Sequence, residues 1–188
     1  ASTATPPNRP ADKAAAPLRD LMLEVSLNAQ QYTNDGTVYS VYAHPAVSAF
    51  SPDRGPVDGG TRVRIYGTNF DGGTAGTYEC KFGEERQTAT LVNRSLLECT
   101  SMALVEGVHC IEVTLNGQDF TDECVPFEAL PTSHLTTHSP TSGPLNGDTR
   151  VTIRGVDLRN GSDYRCQYNA GSRLLTPATL LDDHSGVV

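Results

Sequence analysis

The sequence predicts an all-β chain of β-sandwiches in tandem, and three observations carry that prediction. Short runs such as Arg62-Val63-Arg64-Ile65 and Thr37-Val38-Tyr39-Ser40-Val41 alternate polar and apolar residues, the period of a half-buried strand. Many of the 17 Gly and 12 Pro fall between such runs, where turns are needed. The stretch from Ser51 to Phe70 also recurs 88 positions later: Ser139-Pro140, Gly143-Pro144, Gly147, Thr149-Arg150-Val151, Ile153 and Gly155 repeat its skeleton.

Residues 1–17 are small, polar and Pro-rich and read as a linker or extended loop. A short helix over 11–16 would be bracketed by Pro10 and Pro17. Structure is expected from Leu18. Glu24-Val25-Ser26-Leu27 and Thr37 to Tyr42 alternate around Asn28 to Thr33, which reads as a hairpin. The same pattern returns around Glu112 to Leu115 and Val125 to Phe127, again offset by 88. One period is therefore seen from both ends: the closing hairpin of a first repeat over 18–44, a complete repeat over 45–132, and the opening part of a further repeat over 133–188. A period this long fits one sandwich of immunoglobulin size, whereas solenoid repeats are shorter.

Within the complete repeat, strands are expected near 47–51, 61–66, 77–82, 86–92, 95–100, 107–115 and 120–127. Val63 with Ile65, Tyr78 with Cys80 and Phe82, Ile111 with Val113 and Leu115, and Val125 with Phe127 form the inward faces. Gly55, Gly59, Gly60 and Gly67 stand where the chain must turn sharply, often with positive φ.

The net charge of −8, from 14 Lys and Arg against 22 Asp and Glu, argues against nucleic acid and anionic lipid as partners. Lys13 and Lys81 are the only lysines and the arginines are scattered, so no basic patch reverses that. No apolar run approaches the roughly 20 residues that cross a bilayer, and direct membrane insertion of this segment is not expected. With neither a signal peptide nor an initiator Met, the chain reads as a mature protein or a fragment of a longer one.

Four motifs in order, Ser51-Pro52-x-x-Gly55-Pro56-x-x-Gly59-Gly60-Thr61-x-Val63-x-Ile65-x-Gly67-x-Asn69-Phe70, Tyr78-x-Cys80-x-Phe82-Gly83, Leu97-x-Cys99 and Asn116-Gly117-x-x-Phe120-Thr121, resemble the IPT/TIG family, an immunoglobulin-like fold of plexins, Met-type receptors, fibrocystin-like surface proteins and some transcription factors. The resemblance implies tandem immunoglobulin-like β-sandwiches of IPT/TIG type from Leu18 onward. The third copy departs at Asp148 for the second Gly, Leu158 for the aromatic and Gln167-Tyr168-Asn169 for Lys81-Phe82-Gly83, and the first has Ala29 where the second has Gly117.

Five cysteines are present, Cys80, Cys99, Cys110, Cys124 and Cys166. Four in one repeat allow three connectivities. The resemblance implies a Cys80–Cys99 bond, because plexin-like domains pair the cysteines these two resemble. For Cys110–Cys124 the argument is the repeat: the matching first-copy positions are Met22 and Gly36, so both cysteines are missing there together. Both alternate with inward residues, and a three-residue loop at Asn116 to Gln118 would set Leu115 opposite Asp119 and Cys110 opposite Cys124. Cys166 would need a partner beyond Val188. Buried free thiols in a cytosolic protein are the competing reading. No Cys-x-x-Cys suggests zinc.

Asn93-Arg94-Ser95 and Asn160-Gly161-Ser162 are glycosylation sequons, which makes Asn93 and Asn160 candidate N-glycan sites. His134 and His138 read as part of a solvated Pro/Thr-rich connector. Asp53, Asp58, Asp71, Asp119, Asp122 and Glu123 read as turn residues without the spacing of a Ca²⁺ loop. The Gly72 to Gly76 cluster lacks a P-loop lysine. No catalytic residue, cofactor or metal site is expected. The expected role is a non-catalytic structural or adhesive module of a long multi-repeat extracellular or cell-surface protein, in contact with other protein chains or neighbouring repeats. The alternatives are an intracellular, for example ciliary, scaffold with reduced cysteines, a DNA-binding factor, or an accessory domain of a polysaccharide-acting enzyme. Fold alone does not choose among them.

Overall fold

A computed structural model of the chain describes residues 19–169 and 173–188; the expected linker over 1–17 lies outside them. The chain divides after His44 into two compact units.

In the first unit, β1 (Arg19–Met22) and β2 (Val38–Val41) form an antiparallel pair with Met22 facing Val38. The expected strand at 24–27 is displaced to 19–22. Between the strands, Leu23 N–H donates to Thr37 O, and Val25 exchanges bonds with Thr33. Every residue of β1 and β2 except Val41 is exposed, so burial does not extend the ladder beyond these short runs. Ala29 keeps a φ of 60°, matching 74° at Gly117; the turn conformation survives the loss of glycine.

The second unit begins with a central sandwich. Its strands are β3 (Ala46–Ser51), β4 (Arg54–Pro56), β5 (Arg62–Thr68), β6 (Glu79–Phe82), β7 (Glu85–Thr88), β8 (Thr90–Asn93), β9 (Leu96–Thr100), β10 (Gly107–Thr114) and β11 (Val125–Leu130). One sheet has the order β3-β5-β9-β8, the other β4-β11-β10-β6-β7. Between them lie Val63, Ile65, Phe70, Phe82, Leu97, Ile111, Val113, Leu115 and Phe127, all fully buried. Phe127 meets the Phe82 ring edge-on at 5.4 Å and the Phe50 ring at 6.3 Å.

Three expectations change. The single strand at 86–92 is two strands in different sheets: β7 pairs with β6 and β8 with β9. The chain crosses at buried Ala89, whose N–H donates to Tyr78 O. The strand expected over 120–127 starts at Val125; beyond the turn only a Thr114–Phe120 bridge forms. Gly55 and Gly67 do not have positive φ, unlike Gly59 at 78° and Gly60 at 80°.

Gly67 is instead a point of close approach. A Cβ there would lie 2.1 Å from Ala46 O and 2.4 Å from the buried Phe70 ring. Gly67→Ala is expected to lower stability by about 1–3 kcal/mol through overpacking, read as a lower urea midpoint; an unchanged midpoint refutes the account.

Beyond Pro131 to Ser133 the chain forms β12 (His134–Ser139), β13 (Thr152–Val156), β14 (Arg165–Asn169), β15 (Arg173–Pro177) and β16 (Gly186–Val187). These make a β12-β13-β16 sheet and a β14-β15 pair. The repeated opening stretch keeps its backbone: Ser51-Pro52 and Ser139-Pro140 are both cis, and Asp148 takes a φ of 63° where Gly60 stands in the first. Asp tolerates this left-handed region better than most residues.

Candidate functional site

Two disulfides mark the central sandwich. Cys80 on β6 and Cys99 on β9 lie in opposite sheets and are bonded through the core, with S–S 1.99 Å and Cα–Cα 6.5 Å. Cys80 is fully buried and Cys99 3% exposed. Cys110 on β10 is bonded to Cys124, with S–S 1.91 Å and Cα–Cα 4.8 Å. The expected register for this pair is not the one observed: Cys110 faces Pro126 across the ladder, and Ile111 faces Val125. The pairing of Thr114 with Phe120 would carry Cys110 to Cys124, but two further residues enter the second strand before Val125 and shift the ladder. The bond therefore runs from β10 to the residue just ahead of β11.

Cys166 on β14 is a free, half-buried thiol. On β5, Cys99 faces Val63. On β13, Ile153 faces Val187 of β16.

The sequon asparagines are exposed. Asn93 ends β8, and its Oδ1 accepts the Ser95 N–H at 2.9 Å, holding the tight turn into β9. Asn160 lies in the loop before β14 with φ 63°. Its carbonyl accepts a 2.6 Å hydrogen bond from Arg54 Nη1 of the central sandwich. This contact spans 106 positions and left no signal in the sequence.

Around that joint, Thr132 Oγ1 donates to Asp58 Oδ2, and Ser133 Oγ donates to Asp157 O at 2.6 Å. The Arg54 guanidinium beside Asp53 holds that carboxyl below its usual range. An open cleft of 1020 Å³ runs along the joint, lined among others by Phe50, Pro52, Arg54, Leu158 and Tyr164. A second of 630 Å³ is lined by Glu128, Val156, Asn160 and their neighbours.

The outward face of the β3-β5-β9-β8 sheet carries an ion-paired cluster. Arg62 and Arg64 both bond the Glu98 carboxylate, and these bonds, Arg62's foremost, hold it below the usual range. His134 and His138, expected in a connector, stand exposed on strand β12.

Beside β13, Asp183 accepts bonds from the Ser185 hydroxyl and N–H and pairs with Arg154. The Ser185 bonds lead in holding its carboxyl at about 2. The folded value lies below the unfolded one of about 3.9. The stabilisation it gives is therefore complete above the unfolded value and is lost as pH falls through about 2. A carboxyl ¹³C titration should show this midpoint for Asp183; a midpoint near that of a free aspartate refutes it.

The IPT/TIG domain model matches residues 45–129 and 133–177. The chain belongs to the IPT/TIG family. Rat plexin-A3 is 29% identical over 134 residues, covering 67% of this chain and 7% of that protein. Zebrafish plexin A3 is 26% identical over 140 residues, 70% of this chain and 7% of that protein. This IPT/TIG chain thus spans only a small part of these relatives. The solved full extracellular region of plexin A4, domains 1 to 10, aligns with a TM-score of 0.61 at 18% identity, over 79% of this chain and 13% of that one, which supports the fold.

Disulfides belong to oxidising compartments. The two bonds place this IPT/TIG chain outside the cell or at its surface. Among the described residues no helix is long and apolar enough to cross a membrane.

Proposed function

We propose that the chain is a structural and adhesive stretch of a long multi-repeat extracellular or cell-surface protein, acting through contacts with other protein chains and with neighbouring repeats. The observation that carries this reading is the joining of modules in series: only Pro131, Thr132 and Ser133 separate β11 from β12. A connector this short sets the spacing of successive modules. Loops and free sheet edges along the series supply contact surfaces, among them edge strand β8, exposed throughout. N-glycans on Asn93 and Asn160 are part of the proposal; exposure of both asparagines supports it.

The chain, secreted from a eukaryotic cell, should yield Cys80–Cys99 and Cys110–Cys124 peptides on non-reducing mapping, with glycans at Asn93 and Asn160. Beads coated with it should cluster or hold to cells, and should release on reduction. Free thiols with bare asparagines, or beads that neither cluster nor hold, sink the reading.

A further inference from the structure

We propose that Arg54 is a pin that fixes the angle between the central sandwich and the module after it, so that the two turn as one body. One covalent connector leaves its two ends free to swing. A second tie, placed away from the connector, removes that freedom.

Arg54 makes that tie and is prepared for it. Its Nε and Nη2 donate to the two Asp53 carboxylate oxygens at 3.1 and 3.2 Å, and Nη1 lies 3.3 Å from Glu128 Oε2. Two carboxylates on its own side thus orient the planar fork before it reaches the Asn160 carbonyl, so little side-chain freedom remains to be lost. The acceptor is equally fixed. Tyr164 O–H donates to Leu158 O at 2.9 Å, and Gly161 N–H donates to the same hydroxyl at 2.9 Å, closing the loop that carries Asn160. The open clefts along the joint admit water between the modules, so away from the connector's own bonds at Thr132 and Ser133 the angle rests on this charge-assisted tie. Arg54 is specific to this joint: the matching residue of the next repeat is Ser142. The carbonyl is the acceptor, so a glycan on the Asn160 side chain leaves the tie intact.

The pin deepens the structural reading above and rests on it for its biological use. Residual dipolar couplings of the full chain test it. In the native chain one alignment tensor should fit amides from β5, β9 and β10 together with those of β13 and β14. Arg54→Met keeps the aliphatic stem and removes the guanidinium; the shared tensor should be lost, each module still fitting its own structure. Arg54→Lys, which keeps the charge without the fork, should fall between. A shared tensor in Arg54→Met, or two tensors in the native chain, overturns the proposal. Should Arg54→Met disturb the sandwich itself, Asp53→Asn with Glu128→Gln removes the orienting groups instead, and an undiminished shared tensor there overturns it equally. Loss of bead adhesion with the shared tensor intact defeats only the adhesive reading.

Discussion

Replacing Cys80 and Cys99 together by alanine is expected to lower the unfolding free energy of the central sandwich by about 3 kcal/mol. The bond closes a loop of 19 positions between the two sheets, and its loss frees the unfolded chain. Replacing Cys110 and Cys124 opens a loop of 14 positions. On chain entropy alone the two differ by 1.5RT ln(19/14), about 0.3 kcal/mol. A larger gap would come from packing: Cys80 and Cys99 are buried, whereas Cys124 is exposed at a strand end. Urea midpoints of the two double variants measure the difference directly. A Cys80/Cys99 variant as stable as the parent would refute the cross-sheet account.

Phe127→Ala is expected to cost about 3–5 kcal/mol. Its ring is fully buried, touches Phe82 edge-on, and lies 3.1 Å from where a Cβ on Gly55 would stand. The site is walled by strands of both sheets and has little room to collapse. Phe120→Ala is the matched control. That ring is half-buried beneath Lys81 at 5.2 Å and Arg86 at 4.7 Å, and truncating it should cost about 1 kcal/mol. Equal losses at the two positions would contradict the placement of the core.

The core was legible because alternation survives in the sequence wherever one face is buried. Val63, Ile65, Ile111 and Val113 alternate with polar partners and line the interior. The break at Ala89 was not legible. Gln87, Ala89 and Leu91 keep an unbroken two-residue phase in the sequence while the chain changes sheets, yet only Ala89 is buried and Leu91 is exposed; the pattern says nothing of which neighbour is paired. The slip at Cys124 was hidden for a related reason: a two-residue shift preserves the inward face, so the pattern reads the same on either register. The Arg54–Asn160 tie escaped because a backbone carbonyl carries no residue signature at all.

Strand β4 lies parallel to the last strand of the sandwich, with Arg54, Gly55 and Pro56 beside Glu128, Ala129 and Leu130. Glu128 N–H to Asp53 O and Val57 N–H to Leu130 O extend the same ladder. A tension applied through the two ends of this sandwich is carried first by β3, paired antiparallel with β5; once β3 yields, it pulls β4 and β11 in opposite directions along their length. Their hydrogen bonds are then loaded together in shear, where an antiparallel terminal pair would unzip one bond at a time. The topology thus makes the central sandwich a mechanical clamp for a chain stretched end to end.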